Sequence, residues 1–188
     1  HDYSIKFYKT LEEETGLTGA SQLPADMLSG KKLLNLDSED LGEFTIGCAG
    51  GADTQILLPV KRESGESSQV FQLKLAGFRG GHSGIDINEG RGNAIKLLAR
   101  LLWKAYQQIP FRLTNIEGGN LRNAIPREAW ADLECDPDQE TELKQIFQYE
   151  FNAVKKEFLV QEPDARYEFA AAEDASNPPF TKDISERI

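Results

Sequence analysis

Histidine is nearly absent from this chain: there are two among 188 residues, His1 and His82. No histidine-rich metal site can therefore be assembled within it. Basic side chains are also in short supply. Lysine and arginine total 21 against 31 aspartates and glutamates, a net charge of −10. That balance argues against nucleic acid and anionic membranes as partners. It is common in cytosolic proteins, and a cytoplasmic location is expected. Cysteine is limited to Cys48 and Cys135, which form neither a disulfide framework nor a metal-binding spacing. Cys48 sits in a glycine-rich run and reads as a small packed residue rather than a nucleophile, since only His82 could serve it as base. No apolar run reaches membrane-spanning length, and no signal-peptide pattern opens the chain. The length allows one or two domains, and a hydrophobic fraction of 39% suffices for a core.

What is present is concentrated in a few motifs. Gly80-Gly81-His82-Ser83-Gly84 places a lone imidazole between glycines. Such a backbone turns sharply and leaves the ring unshielded. An exposed imidazole can steady a developing negative charge by hydrogen bonding. A plainer reading is a histidine that ends a strand at a turn. Upstream lie Glu12-Glu13-Glu14 and Asp37-Ser38-Glu39-Asp40, each where a short apolar stretch ends. Ile5, Phe7 and Leu11, and then Leu33, Leu34 and Leu36, read as buried strands of an α/β sheet. Active-site groups collect at such strand ends. Carboxylates there suit Mg²⁺, Mn²⁺ or Zn²⁺. The plainer reading of the glutamate triplet is a solvated helix start.

The chain divides near residue 52. Residues 1–52 read as part of a catalytic α/β domain, and residues 53–188 as a second domain with its own pattern. Ile56, Leu58 and Val60 suggest an opening strand, and Ser64 to Ser68 a turn. Phe71, Leu73 and Leu75 alternate with polar residues and lead into the His82 turn. Ile95, Leu98, Leu102 and Ala105 recur at helical spacing. Trp103 and Tyr106 on that helix read as core, with a dimer face as the alternative. Phe111 and Leu113 begin a strand; Ala129, Ala131, Leu133 and Cys135 form another. Leu143, Phe147, Phe151, Val154 and Phe158 mark a second helix, and Tyr167 and Phe169 a last strand. The order βαββαβ predicts a ferredoxin-like arrangement, so the expected class is α/β in composition and α+β in layout. Pro178-Pro179 should break structure, and Ile184 to Ile188 should start a helix. Lys61-Arg62 reads as a solvated basic pair. Gly90-Arg91-Gly92-Asn93 lacks the residues of a phosphate loop.

Five motifs in order carry a family resemblance. They are Glu13-Glu14-Thr15-Gly16-Leu17-Thr18-Gly19-Ala20, Leu34-Asn35-Leu36-Asp37-Ser38-Glu39-Asp40, Ile46-Gly47-Cys48-Ala49-Gly50-Gly51, Gly77 to Gly84, and Gly118-Gly119-Asn120-Leu121-Arg122-Asn123-Ala124-Ile125-Pro126-Arg127-Glu128. Together they resemble the bacterial aminoacyl-histidine dipeptidases, members of the co-catalytic zinc peptidase family that includes carboxypeptidase G and carnosinase. The resemblance implies a dizinc enzyme cleaving dipeptides, with a preference for Xaa-His. It implies Glu13 as general base toward the metal-bridging water, and Glu14 and Asp37 as carboxylate ligands of the two zinc ions. It implies His82 as a lid histidine that reaches the partner subunit's active site and polarises the scissile carbonyl, and Asn123 as a substrate-binding lid asparagine. A homodimer through the lid domain follows from the same likeness. Glu12 departs slightly, at a position where aspartate is more frequent.

The family pattern also contains a His-x-Asp motif and a bridging aspartate before Glu13, and a histidine far downstream. None is in this sequence. The chain is therefore expected to be an internal fragment of a longer enzyme, inactive alone and without tightly bound zinc. The alternative is a non-catalytic ferredoxin-like dimerisation or ligand-binding module.

Overall fold

In a strand that buries one face, side chains alternate between core and solvent. Phe71, Leu73 and Leu75 obey this: each is fully buried, while Gln72 and Lys74 between them are half-exposed. The computed structural model describes residues 8–9, 18–34, 41–47, 52, 54–64, 69–172 and 177–188. The chain divides into two compact units, His1–Gln55 and Ile56–Ile188.

The first unit contains a short helix, α1 (Thr18–Ser21), and the Tyr8 hydroxyl donates to the Met27 carbonyl. The proposed strand through Leu33, Leu34 and Leu36 is not found where it can be examined: Leu33 and Leu34 are exposed and lie in irregular backbone. A strand buried on both faces needs neighbours on either side, and no strand of this unit is present among the described residues. Glu13, Glu14, Asp37, Cys48 and the Ile5–Leu11 segment, except Tyr8 and Lys9, lie outside the described residues.

The second unit has the expected βαββαβ order. Its main elements are β1 (Gln69–Ala76), α2 (Ala94–Tyr106), β3 (Arg112–Gly118), β5 (Ala129–Cys135), α3 (Glu140–Glu157) and β6 (Arg166–Ala171). A two-residue pair, β2 (Gly81–His82) and β4 (Ala124–Ile125), is inserted between them, and α4 (Lys182–Arg187) follows β6. The four long strands form one antiparallel sheet in the order β3-β5-β1-β6. Each strand is joined to its sequence neighbour by a helix or the β2–β4 insertion, which gives the predicted ferredoxin-like layout.

The core lies between the sheet and the two long helices. α2 contributes Ala94, Leu97, Leu98, Leu101, Leu102 and Ala105; α3 contributes Leu143, Phe147, Phe151 and Val154. Phe169 stacks on Phe71 at 5.4 Å and meets Phe147 at 5.1 Å. Each such side chain removed from water adds about 1.5–3 kcal/mol. The helices start where the sequence provides caps. Asn93 accepts from the Lys96 amide at α2, and Asp136 accepts from the Asp138 amide ahead of α3.

Several detailed expectations need correction. Ile95 and Trp103 were expected in the core but are exposed, Trp103 at 58%. Helical spacing marked α2 as amphipathic, yet its buried stripe is rotated toward Ala94, Leu97 and Leu101, leaving Ile95 and Trp103 outside. Tyr106 is half-buried against Phe111 in an edge-on contact. Ile56, Leu58 and Val60 form no strand and are exposed. Among the described residues that segment pairs with no strand, apart from a single bridge between Arg62 and Phe180. Arg62 is not a free basic residue. It donates to Thr114 O at 2.8 Å and to Pro178 O at 2.5 Å, and its guanidinium lies 4.3 Å over the Phe180 ring. Thr114 is available because the β3–β5 register shifts between Leu113 and Asn115, taking one residue out of the ladder. The helix expected near the end is α4, and Ser185 Oγ accepts from the Leu113 amide at 3.0 Å.

Candidate functional site

β1 carries the chain out of the sheet, and the next residues curl back as β2. Gly81 pairs with Ile125 and His82 with Ala124, antiparallel. Beyond the ladder, the Ser83 amide donates to Asn123 O at 2.8 Å. The fold thus brings the backbones of two residues singled out by the sequence close together: His82, which ends β2, and Asn123, in the turn just before β4. The third and fourth positions of the expected site, Glu13 and Glu14, and the fifth, Asp37, lie outside the described residues. Among the described residues, no group of three or more histidine, cysteine, aspartate or glutamate side chains is placed to hold a metal ion.

His82 is exposed, but hydrogen bonds hold its backbone and one side of its ring. Nδ1 accepts from the Gly84 amide at 3.0 Å and from the Ile85 amide at 3.2 Å. The backbone amide of His82 donates to Asp86 Oδ2 at 2.7 Å, and the Asp86 amide returns a bond to His82 O at 3.1 Å. Asp86 Oδ1 accepts from Arg91 Nη2 at 3.0 Å, while Arg91 Nη1 donates to Gly80 O at 2.7 Å. Gly81 lies inside this ring. A Cβ there would sit 2.2 Å from Arg91 Nη1 and 2.5 Å from Asp86 Oδ2, and its φ of 140° disfavours any side chain. With Nδ1 used as an acceptor, the neutral ring carries its hydrogen on Nε2, which makes no hydrogen bond among the described residues.

A second clasp lies at the base of the turn. Glu162 is buried, and its two carboxylate oxygens accept from the backbone amides of Arg79 and Gly92, each at 2.7 Å. It joins the start of the His82 turn to the start of α2. Asn123 is half-buried, and its side-chain amide makes no hydrogen bond among the described residues.

Two depressions share Ala124, Ile125 and Pro126 as lining. One, of about 520 Å³, includes Ser83, Leu121 and Ile95. The other, of about 830 Å³, includes Arg79, Arg127, Arg166 and Trp130. Sequence reasoning passed over Asp86, Arg91 and Glu162. The Gly90–Asn93 run, which lacks the residues of a phosphate loop and whose glycines precede the helix, sends Arg91 back to Gly80, and Asn93 caps α2.

Residues 73–161 match the family model of the peptidase dimerisation domain. The chain is 41% identical over 154 residues to the cytosol non-specific dipeptidase of Escherichia coli (strain K12), covering 81% of this chain and 32% of that protein. Its fold is similar to that of aminoacylhistidine dipeptidase from Vibrio alginolyticus, with a TM-score of 0.74 and 38% identity over 92% of this chain and 35% of that one. The chain therefore spans about a third of the length of these relatives.

Proposed function

We propose, from the premise that residues 73–161 are a peptidase dimerisation domain, that this chain is part of a zinc-dependent dipeptidase that favours Xaa-His substrates. Residues 53–188 would be its lid domain and residues 1–52 part of its catalytic domain. The observation that carries the reading is the His82 turn: an exposed imidazole whose Nδ1 is occupied, which leaves the ring hydrogen to Nε2, on a turn bonded through Ser83 to the backbone of Asn123. A donor held in that way can polarise a peptide carbonyl and stabilise the oxyanion that forms from it, with no reorganisation during the reaction. Asn123 would hold the substrate through its free side-chain amide.

Glu14 and Asp37 are the proposed carboxylate ligands of the two zinc ions, and Glu13 the proposed base; these roles come from the sequence motifs. When bound, zinc supplies a Lewis acid and an activated water. The proposed assembly is a homodimer, with His82 serving the partner's active site. It is supported by the apolar face of α2 at Ile95 and Trp103, which this unit leaves open. A cytoplasmic location is supported by the word cytosol in the name of the Escherichia coli relative; no described helix is long and apolar enough to cross a membrane.

The reading is tested on the longer protein that carries this chain. It should hydrolyse dipeptides with a C-terminal histidine faster than matched dipeptides ending in alanine. Chelation should abolish the activity and zinc should restore it. Equal rates on both substrates would remove the Xaa-His preference. No hydrolysis of any dipeptide with zinc present would favour a non-catalytic dimerisation module.

A further inference from the structure

We infer that Asp86 and Arg91 are positioning residues for His82, and that they act by holding its imidazole in the Nε2–H form. The inference rests on the reading of His82 as a carbonyl-polarising donor, because only that form presents a hydrogen outward.

The argument starts at the ring. Nδ1 faces two backbone N–H groups, those of Gly84 and Ile85. An Nδ1–H form would set hydrogen against hydrogen twice. The lone pair must therefore lie on Nδ1 and the hydrogen on Nε2. This preference lasts only while the backbone of residues 82–85 keeps its curl, since the ring and the two amides belong to the same tight turn.

Asp86 keeps that curl. It accepts from the His82 amide through Oδ2 and donates its own amide to His82 O, so it grips the same residue twice. A free carboxylate side chain would rotate away readily. Arg91 prevents this by bonding Oδ1, and it is itself fixed on Gly80 O. The chain of contacts runs from Gly80 O through Arg91 and Asp86 to the His82 amide, and encloses Gly81. The Arg91 and Asp86 side chains are only 25% and 27% exposed. Their ion pair is accordingly less screened than one in open solvent. Neither side chain hydrogen-bonds to the imidazole, so their effect on the ring passes through the backbone of the turn.

A role confined to stability would leave the ring's hydrogen where it is. The test therefore reads the hydrogen itself. In the ¹⁵N-labelled chain, long-range ¹H–¹⁵N correlations report the form of His82, with His1 as the only other imidazole to assign. The wild-type chain should show the Nε2–H form alone, with slow amide exchange at Gly84 and Ile85. Asp86→Ala should give a mixture of both forms and speed exchange at those two amides roughly tenfold. Arg91→Gln should move both readouts in the same direction, to a smaller extent. The amides of Leu73 and Leu133 report that the sheet is intact. If Asp86→Ala does not fold, Arg91→Gln carries the comparison. The inference is overturned if wild-type His82 shows the Nδ1–H form, or if the folded variants keep the wild-type form and exchange rates. None of these readings depends on peptide hydrolysis, so failure of the proposed function and failure of this inference are separately visible.

Discussion

Ser83 donates its backbone N–H to the carbonyl oxygen of Asn123 at 2.8 Å, just beyond the ladder in which His82 faces Ala124. With the β2–β4 pairing, this bond joins two turns that are distant in sequence. The His82 turn hangs from β1 and the Asn123 turn from β3, so the central sheet fixes the distance between them.

Gly81→Ala should damage this arrangement without touching the core. Its Cβ would meet Arg91 Nη1 and Asp86 Oδ2 at 2.2 and 2.5 Å, on a backbone of φ 140°. A loss of about 1–3 kcal/mol is expected from urea unfolding. A midpoint equal to wild type would mean that the turn relaxes at no cost.

Glu162→Gln tests the lower clasp. The glutamine oxygen can accept from only one side, and its NH₂ opposes the other backbone amide, leaving a buried N–H without an acceptor. The expected cost is about 1–3 kcal/mol, or a fall in Tm of roughly 2–12 °C for a chain of this size. An unchanged Tm would show that the two 2.7 Å bonds contribute nothing net.

Cys135 should be inert. Burial pushes its thiol up to about 11, and Asp136, Glu140 and Glu134 add to the rise. At pH 8, iodoacetamide should label Cys135 in the native chain about a hundredfold more slowly than in urea, read by mass mapping. The sign of the linkage follows from the same shift. A thiol with a folded value above its unfolded value of 9.0 contributes stability that is complete below pH 9 and is lost as pH rises toward 11. Rapid labelling of native Cys135 at pH 8 would contradict its burial.

The layout of the second unit was legible because its sheet buries one face. Phe71, Leu73 and Leu75, and then Ala129, Ala131 and Leu133, alternate in the sequence as they do in the strands. The β2–β4 ribbon was not legible: two residues per strand leave no periodicity, and the pairing depends on turn hydrogen bonds. The histidine and asparagine of the proposed site stand in legible motifs, whereas Asp86 and Arg91 do not, because their bonds run largely to backbone atoms. The exposure of Trp103 escaped for a different reason. Helical spacing shows that a helix has an apolar stripe but not whether a second, open stripe lies beside it. Arg62 looked solvated because its partners, Thr114 O and Pro178 O, are 52 and 116 residues away.

That open stripe has its own test. Trp103→Glu places a charge on the exposed face of α2 without removing a buried side chain. If this face joins two copies, sedimentation should show a shift from dimer toward monomer, with the Tm of the isolated unit within a few degrees of wild type. A dimer of unchanged affinity would place the interface elsewhere.

The most direct test of the account mixes two variants of the proposed dipeptidase, one carrying His82→Ala and the other Glu13→Gln, under conditions where subunits exchange. Each homodimer should be nearly inactive. In the mixed dimer, one site combines an intact Glu13 from its own chain with an intact His82 from the partner. A random equal mixture should therefore recover roughly a quarter of wild-type turnover, given independent sites. Verified exchange with no recovered turnover would contradict the account: His82 would then act within its own subunit, or only support the turn that holds it.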